Sequence, residues 1–214
     1  SHFYFLVIPP LLPLLKSDIS SSYLGFGVVL GAFTFSAFLF QTPVGFLVDR
    51  IGAVRLLVWG LLIETACVGL MGFSQMYWQL LALYALAGLA NTVFHPADYA
   101  ILAASVDRSR LGRAFSTHLF SGNIGFAIAP FIMLGLGALW GWRGAFHAVG
   151  LFGFGFAIYL WTQQEVLERT MAFRSETPES DQGKKNAGLA VGMKLLFSYP
   201  IMMCLLFFVL LTLG

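Results

Sequence analysis

Gly45-Phe46-Leu47-Val48-Asp49-Arg50-Ile51-Gly52-Ala53-Val54-Arg55 stands between two long apolar runs. That pattern of charge and glycine does not survive inside a bilayer, and it fits a tight turn at the membrane surface. Gly45 would let two helix ends approach, Asp49 would sit at a helix N-terminus, and Gly52 would supply the positive φ of a short reversal. The runs on either side are then consecutive membrane helices, and this loop is their latch.

Working outward, the chain of 214 residues is 58% hydrophobic and only 10% charged, whereas soluble domains average about 25% charged. Apolar runs of about 20 residues match a hydrocarbon core about 30 Å thick. They are too continuous for the alternating pattern of a membrane β-barrel. The spans fall near residues 3–15, 24–47, 55–73, 78–104, 114–136, 144–162 and 195–213. The expected fold is an all-α polytopic membrane protein. The first run is short for a span and has no cleavage-site pattern, so it reads as a helix cut near its start, and the chain as a fragment at both ends.

The net charge of +2 matters less than its placement. Arg50, Arg55, Arg108, Arg110, Arg113, Arg169, Arg174, Lys184, Lys185 and Lys194 fall in alternate loops or at their edges, and only Lys16 and Arg143 fall on the other side. The positive-inside rule then places the N-terminus in the cytoplasm. These residues form no soluble basic face, which excludes nucleic-acid binding. Cys67 and Cys204 lie inside spans, so neither a disulfide nor a metal site is expected, and no cofactor is implied.

From Gln163 the composition changes, with Glu165, Glu168, Arg169, Arg174, Glu176, Glu179, Asp181, Lys184 and Lys185 gathered around Pro178 and Gly183. The organisation is a six-helix half over 1–162, a cytoplasmic linker over 163–194, and a further helix over 195–214. A weak internal repeat runs through the first part. Pro10 precedes Leu24-Gly25 as Pro96 precedes Leu111-Gly112, and Gly52-Ala53-Val54-Arg55 opens span three as Gly141-Trp142-Arg143 opens span six.

The opening loop resembles the signature loop of the major facilitator superfamily, with Gly45, Leu47, Asp49, Arg50 and Gly52 in register and Arg55 as a further basic residue. Ala53 and Val54 stand where that family often has basic residues. The resemblance implies a half bundle of two inverted three-helix repeats, followed by the family's long central loop and a seventh helix. It also implies alternating access, with a small-molecule substrate, protons, the bilayer and a C-terminal half beyond this chain as partners. His2-Phe3, Pro10 to Lys16, Gln41-Thr42-Pro43, Phe94-His95-Pro96-Ala97 and Gly122-Asn123-Ile124-Gly125 look like the fosmidomycin-resistance type of drug exporter, found in the bacterial inner membrane. Two positions depart from that type: the first span retains no carboxylate, and Tyr84 stands where many antiporters carry an Arg ahead of Gly88.

Several residues could carry chemistry. Asn91, His95 and Asp98, spaced four and three apart, share one face of span four, and the resemblance points that face at the central cavity. Ionisable groups at membrane depth are costly unless they face protein or water, and proton relays are a common use of them. Against this stands a plain helix-pairing role for His95 and Asp98. Glu64, midway along span three, is a second candidate for proton coupling, with a structural hydrogen bond beside Gly60 as its alternative; Gln41 is a further candidate on span two. His118 and His147 read as packing residues. In span five, Gly122 and Gly125 lie on one face for close helix approach, Asn123 lies between them, and Pro130 would kink the span. Trp78, Trp140 and Trp142 fit an interfacial belt, and Phe26, Phe33 and Phe40 fit helix packing or a lipid face. Two other functions stay open: a rhomboid-like serine protease built on Ser121 and His147, and a seven-span receptor suggested by the span count.

Overall fold

The structure is a computed structural model and describes residues 1–175, with side chains through Arg169. The linker from 176 and the helix expected over 195–213 lie outside the described residues. Pro9 and Pro10 carry no N–H, so the carbonyls of Phe5 and Leu6 lose their α-helical donors. The chain there forms 3-10 turns at His2–Leu6 and Pro9–Leu11 and becomes α-helical only in α1, Leu12–Asp18. This corrects the single helix expected over 3–15. Tyr84 answers the loss, since its hydroxyl faces the carbonyls of Tyr4 at 3.1 Å and Phe5 at 3.0 Å. The residue in the place of the antiporters' Arg thus secures the first span.

Helix α2, Tyr23–Ile51, starts at Ser22, whose hydroxyl accepts the Gly25 N–H at 3.0 Å. It ends at Gly52, whose φ of +104° and ψ of 137° reverse the chain into α3, Ala53–Met71. Two expectations for the loop are corrected here. Asp49 occupies the last turn of α2, a C-terminal turn that the helix dipole makes unfavourable for a carboxylate. Gly45 lies inside α2, and a Cβ built on it meets nothing within 4 Å among the described residues. Opposite outcomes follow for two similar substitutions. Gly52→Ala forces an L-residue into glycine's territory and is expected to cost about 1–3 kcal/mol, whereas Gly45→Ala is expected to add about 0.5–1 kcal/mol. Thermal melting in detergent of the two variants beside the parent measures both.

The fourth span is two helices, α4 (Tyr77–Asn91) and α5 (Phe94–Ser105), separated by a turn at Thr92 and Val93. Pro96 is the cause: it offers no N–H to the Thr92 carbonyl, and the backbone tightens so that Thr92 and Val93 donate to Leu89 and Ala90. The unbroken helix expected over 78–104 is corrected by this turn. After a short 3-10 turn at Arg108–Arg110, α6 runs over Leu111–Ser175 with one non-helical residue, Gly141, at φ +68° and ψ 174°. Pro130 sits within helical dihedrals, so the departure from helix in this segment is at Gly141. The two positive-φ residues among those described are therefore Gly52 and Gly141, and the proline breaks fall at Pro9-Pro10 and Pro96. These are the positions that suggested the internal repeat.

Four helical segments among the described residues are long and apolar enough to cross a membrane: Tyr23–Ile51, Ala53–Met71, Tyr77–Ser105 and Arg108–Arg169. The last contains both arms of α6, which fold back at Gly141 so that Leu136 before it and Val149 after it line one cavity. Helix α3 packs on α4 and α6, and α2 packs on α4. The third span is among the most enclosed, with Val58, Leu61, Thr65, Cys67, Val68 and Met71 buried. Glycine is the reason, because Gly150 on the second arm of α6 lies against the backbone of Gly69. Phe26 and Phe33 are in the core, whereas Phe35, Phe38, Phe131 and Phe152 are more than 60% exposed. That outer surface suits acyl chains or further helices.

The two ends of the bundle carry separate ion pairs. At one end Arg55 meets Glu168 through two bonds of 2.8 and 3.2 Å. Helix α6 reaches Glu168 because it continues past position 162 into the segment read as linker. At the other end Arg143 pairs with Asp18 and also donates to the Ser74 carbonyl at 3.4 Å. Trp142, expected in an interfacial belt, is 3% exposed and its indole N–H donates to Asp18 at 3.0 Å. The indole N–H, and after it the guanidinium, hold the Asp18 carboxyl below the usual carboxylate range. A depressed carboxyl contributes its stability above its unfolded pKa of about 3.9 and loses it as pH falls further. The melting midpoint is accordingly expected to fall on acidification below about pH 4, and Asp18→Asn is expected to flatten that slope.

Candidate functional site

Helix α5 leaves the Thr92–Val93 turn with His95 in its first turn and Asp98 in its second. Three elements meet these residues. Asp98 Oδ2 lies 3.5 Å from Nε2 of His118 on the first arm of α6. The His95 ring stands edge-on to His2 at 5.6 Å between centroids, and Tyr99 bridges His95 and His118 at 5.9 and 6.2 Å. His2 is seated by Gly122, where a Cβ would lie 2.9 Å from its ring, and Gly125 admits the Phe3 backbone in the same way. The glycine face of span five therefore grips the first segment. Asn123 bonds back to the Leu119 carbonyl of its own helix at 2.9 Å and does not join the cluster.

The cluster has hydrogen-bonding capacity to spare. His95 Nδ1 and His118 Nε2 are buried without a hydrogen-bond partner among the described residues, and the Asp98–His118 contact is an ion-pair distance rather than a formed hydrogen bond. Asp98 and His118 are both about four-fifths buried. Beside them opens a cavity of about 700 Å³, walled by Phe3, Tyr4, Phe94, Phe152 and Phe156. A titratable pair thus faces an apolar cavity.

The stripe expected on span four is divided between two places. Asn91, on α4, turns to α3 and donates to Glu64 Oε1 at 2.8 Å, so it stands apart from His95 and Asp98. Neither Glu64 nor Gln41 lines the cavity. Asp49 and Arg50 are exposed at the end of α2, and of the signature loop only Arg55 forms an ion pair among the described residues. His118 escaped the sequence reading, because nothing along the chain signals that a lone histidine on one span meets a carboxylate on another. Ser121 donates to the carbonyls of Thr117 and His118 in its own helix, and His147 Nδ1 lies 3.0 Å from the Gly69 carbonyl. The serine–histidine dyad that the protease reading needs is not formed.

These features define a polytopic helical membrane protein with a titratable pair on the wall of a half-open apolar cavity. The Major Facilitator Superfamily matches the whole chain, residues 1–214. The chain is 30% identical over 172 residues to the multidrug resistance protein MdtG of Citrobacter koseri, covering 77% of this chain and 42% of that protein. With the MdtG of Salmonella typhimurium it shares 31% over 161 residues, 72% of this chain and 39% of the relative, and with that of Serratia proteamaculans 29% over 158 residues, 72% and 38%. The chain belongs to the major facilitator superfamily, a family of multi-pass membrane transporters and not of enzymes. It spans about two fifths of the length of the curated relatives it matches. Membership replaces both the protease and the receptor readings.

Proposed function

We propose that this chain is the N-terminal part of a secondary transporter that exports a small organic solute from a bacterial cell in exchange for protons. The observation that carries the reading is the Asp98–His118 pair beside the cavity of about 700 Å³. A carboxylate and an imidazole on the cavity wall can take up and release a proton as the cavity changes sides, and the aromatic walls suit an apolar or amphipathic solute. The relatives' shared description, multidrug resistance, supports drug-like solutes as the class. His95 and His2 extend the cluster toward the first segment, while Asn91, Glu64 and Gln41 do not line the cavity.

Alternating access needs a partner half, and the exposed apolar surfaces of α2 and α6 suit one. The basic residues of the alternate loops favour a cytoplasmic N-terminus in the inner membrane. The Arg55–Glu168 contact belongs on that side as a latch between the signature loop and the end of the sixth span. Both partners are partly exposed, so the contact contributes about 0–1 kcal/mol. A latch of that strength opens readily. The test is the full-length protein reconstituted in vesicles with an imposed pH gradient and a panel of drug-like solutes. Solute movement that follows the gradient and collapses with a protonophore is the expected result; movement indifferent to the gradient would remove protons from the mechanism.

A further inference from the structure

The buried polar contact between α3 and α4 lies outside the cavity, and it sits at the one place where the fourth span is broken. Glu64 and Thr65 are wholly buried, Asn91 is 4% exposed and Thr92 is 2% exposed. Asn91 is the last residue of α4, and its amide donates to Glu64 at 2.8 Å. Thr92 closes the helix end through its hydroxyl, which donates to the Leu89 carbonyl at 2.7 Å. One turn before Glu64, Gly60 admits the same segment: a Cβ there would lie 3.0 Å from the Ala90 carbonyl oxygen and 3.3 Å from Val93. Helix α3 therefore holds the break on both sides, by close approach at Gly60 and by a hydrogen bond at Glu64.

The other groups near Glu64 do not compete for that bond. Tyr84 directs its hydroxyl to the Tyr4 and Phe5 carbonyls, and Tyr4 directs its own to Val149. No basic side chain pairs with Glu64 among the described residues, and Oε2 is left without a partner. The side chain thus has one directional contact, and that contact ends at the last residue of α4, just before the turn that leads into α5. A crevice of about 180 Å³ beside Gly60, Thr92 and Val93 leaves the turn room to shift once released.

We infer that Glu64 and Asn91 are positioning residues, a buried pin that fixes the Thr92–Val93 turn and so aims Asp98 at the cavity and at His118 and sets His95 against His2 and Tyr99. This rests on the proposed role of the cavity. A direction error at the start of α5 is carried to Asp98 a turn further on, and displacements of about 1 Å are enough to spoil a functional constellation. The role requires an acceptor at position 64 and a donor at position 91, not a titrating proton on Glu64.

The experiment compares Glu64→Gln, Glu64→Met, Asn91→Leu and the Met/Leu double variant in the full-length protein. Each is measured for gradient-driven transport across a pH series and for thermal melting. Gln keeps an acceptor for Asn91, so its transport is expected within about twofold of the parent with the same pH profile. Met and Leu fill the space without the bond, so each is expected to lose about tenfold or more in rate and to shift the pH profile of transport, which involves the Asp98–His118 pair and the neighbouring His95 and His2. The double variant is expected to be no worse than either single change. Glu64→Gln failing like Glu64→Met would overturn the inference, because the carboxyl's own proton would then be required. Met and Leu variants with the parent's rate and profile would overturn it too. Asp98→Asn run in parallel separates the two readings: if it leaves coupling intact while the Glu64 and Asn91 set behaves as expected, the cavity assignment falls and the pin stands.

Discussion

Asp98→Asn in the full-length protein is expected to reduce pH-gradient-driven transport to the background of empty vesicles while leaving the protein folded. Asn has nearly the volume of Asp and can still face His118, so the packing around α5 has little reason to change. What it lacks is the negative charge and the ability to hold a proton. With the charge gone, His118 loses its ion-pair partner, and the cluster of His2, His95 and His118 retains no anion. A melting midpoint close to the parent's, together with solute exchange that persists without a gradient, would assign the loss to coupling alone. Gradient-driven transport at the parental rate would take Asp98 out of the mechanism, and His118→Asn would then decide whether the histidine acts without it.

How much of this was legible in the sequence follows from the range of the forces involved. Gly52 was readable, because a reversal between two apolar helices needs a residue free to take positive φ, whereas Gly141 stood out only as its counterpart in the internal repeat. The prolines misled: Pro130, expected to kink its span, keeps helical dihedrals, whereas Pro9 and Pro10 hold the first segment in 3-10 turns and Pro96 divides span four, where unbroken helices were expected. Asp49 looked like an N-terminal cap from its place beside Gly52, yet α2 runs on through it and the reversal begins at Gly52 itself. Trp142 followed the rule for aromatic residues at span ends, and was overruled by a carboxylate from the end of the first segment.

The functional cluster shows the same boundary between local and distant information. Helical spacing groups Asn91 with His95 and Asp98, and it is right for any unbroken helix. Two residues of turn between α4 and α5 are enough to send Asn91 to α3, Asp98 to the cavity and His95 to His2. His118 and Tyr84 carried no signal along the chain, since the partners of each lie on other spans. A sequence rule recognises a polar residue in an apolar run; which neighbour satisfies it is a fact of packing.

The packing that aligns those neighbours makes Gly88→Leu one of the most destructive single changes expected for the bundle. A Cβ built on Gly88 falls on the backbone of Phe33, against its carbonyl oxygen and Cα, so no rotamer relieves the overlap and α2 and α4 must separate. Phe33 packs its ring on Tyr84, 4.6 Å away and one turn before Gly88, so separation also loosens the hydroxyl that holds the Tyr4 and Phe5 carbonyls. Those carbonyls belong to the segment that carries His2 and lines the cavity with Phe3 and Tyr4. Overpacking with a way to relax costs about 1–3 kcal/mol; with backbone as the obstacle the cost is expected at the upper end or beyond, a large part of a total stability of about 5–15 kcal/mol. Gly31→Leu is the matched control, because a Cβ at Gly31 on the same α2 meets nothing within 4 Å among the described residues. Yield of monodisperse protein and melting midpoint in detergent distinguish them: Gly88→Leu is expected to aggregate or melt far below the parent, and Gly31→Leu to behave like it. Equal tolerance of both would mean that α2 and α4 do not depend on their close approach at Gly88, and that the first segment is held by something other than Tyr84.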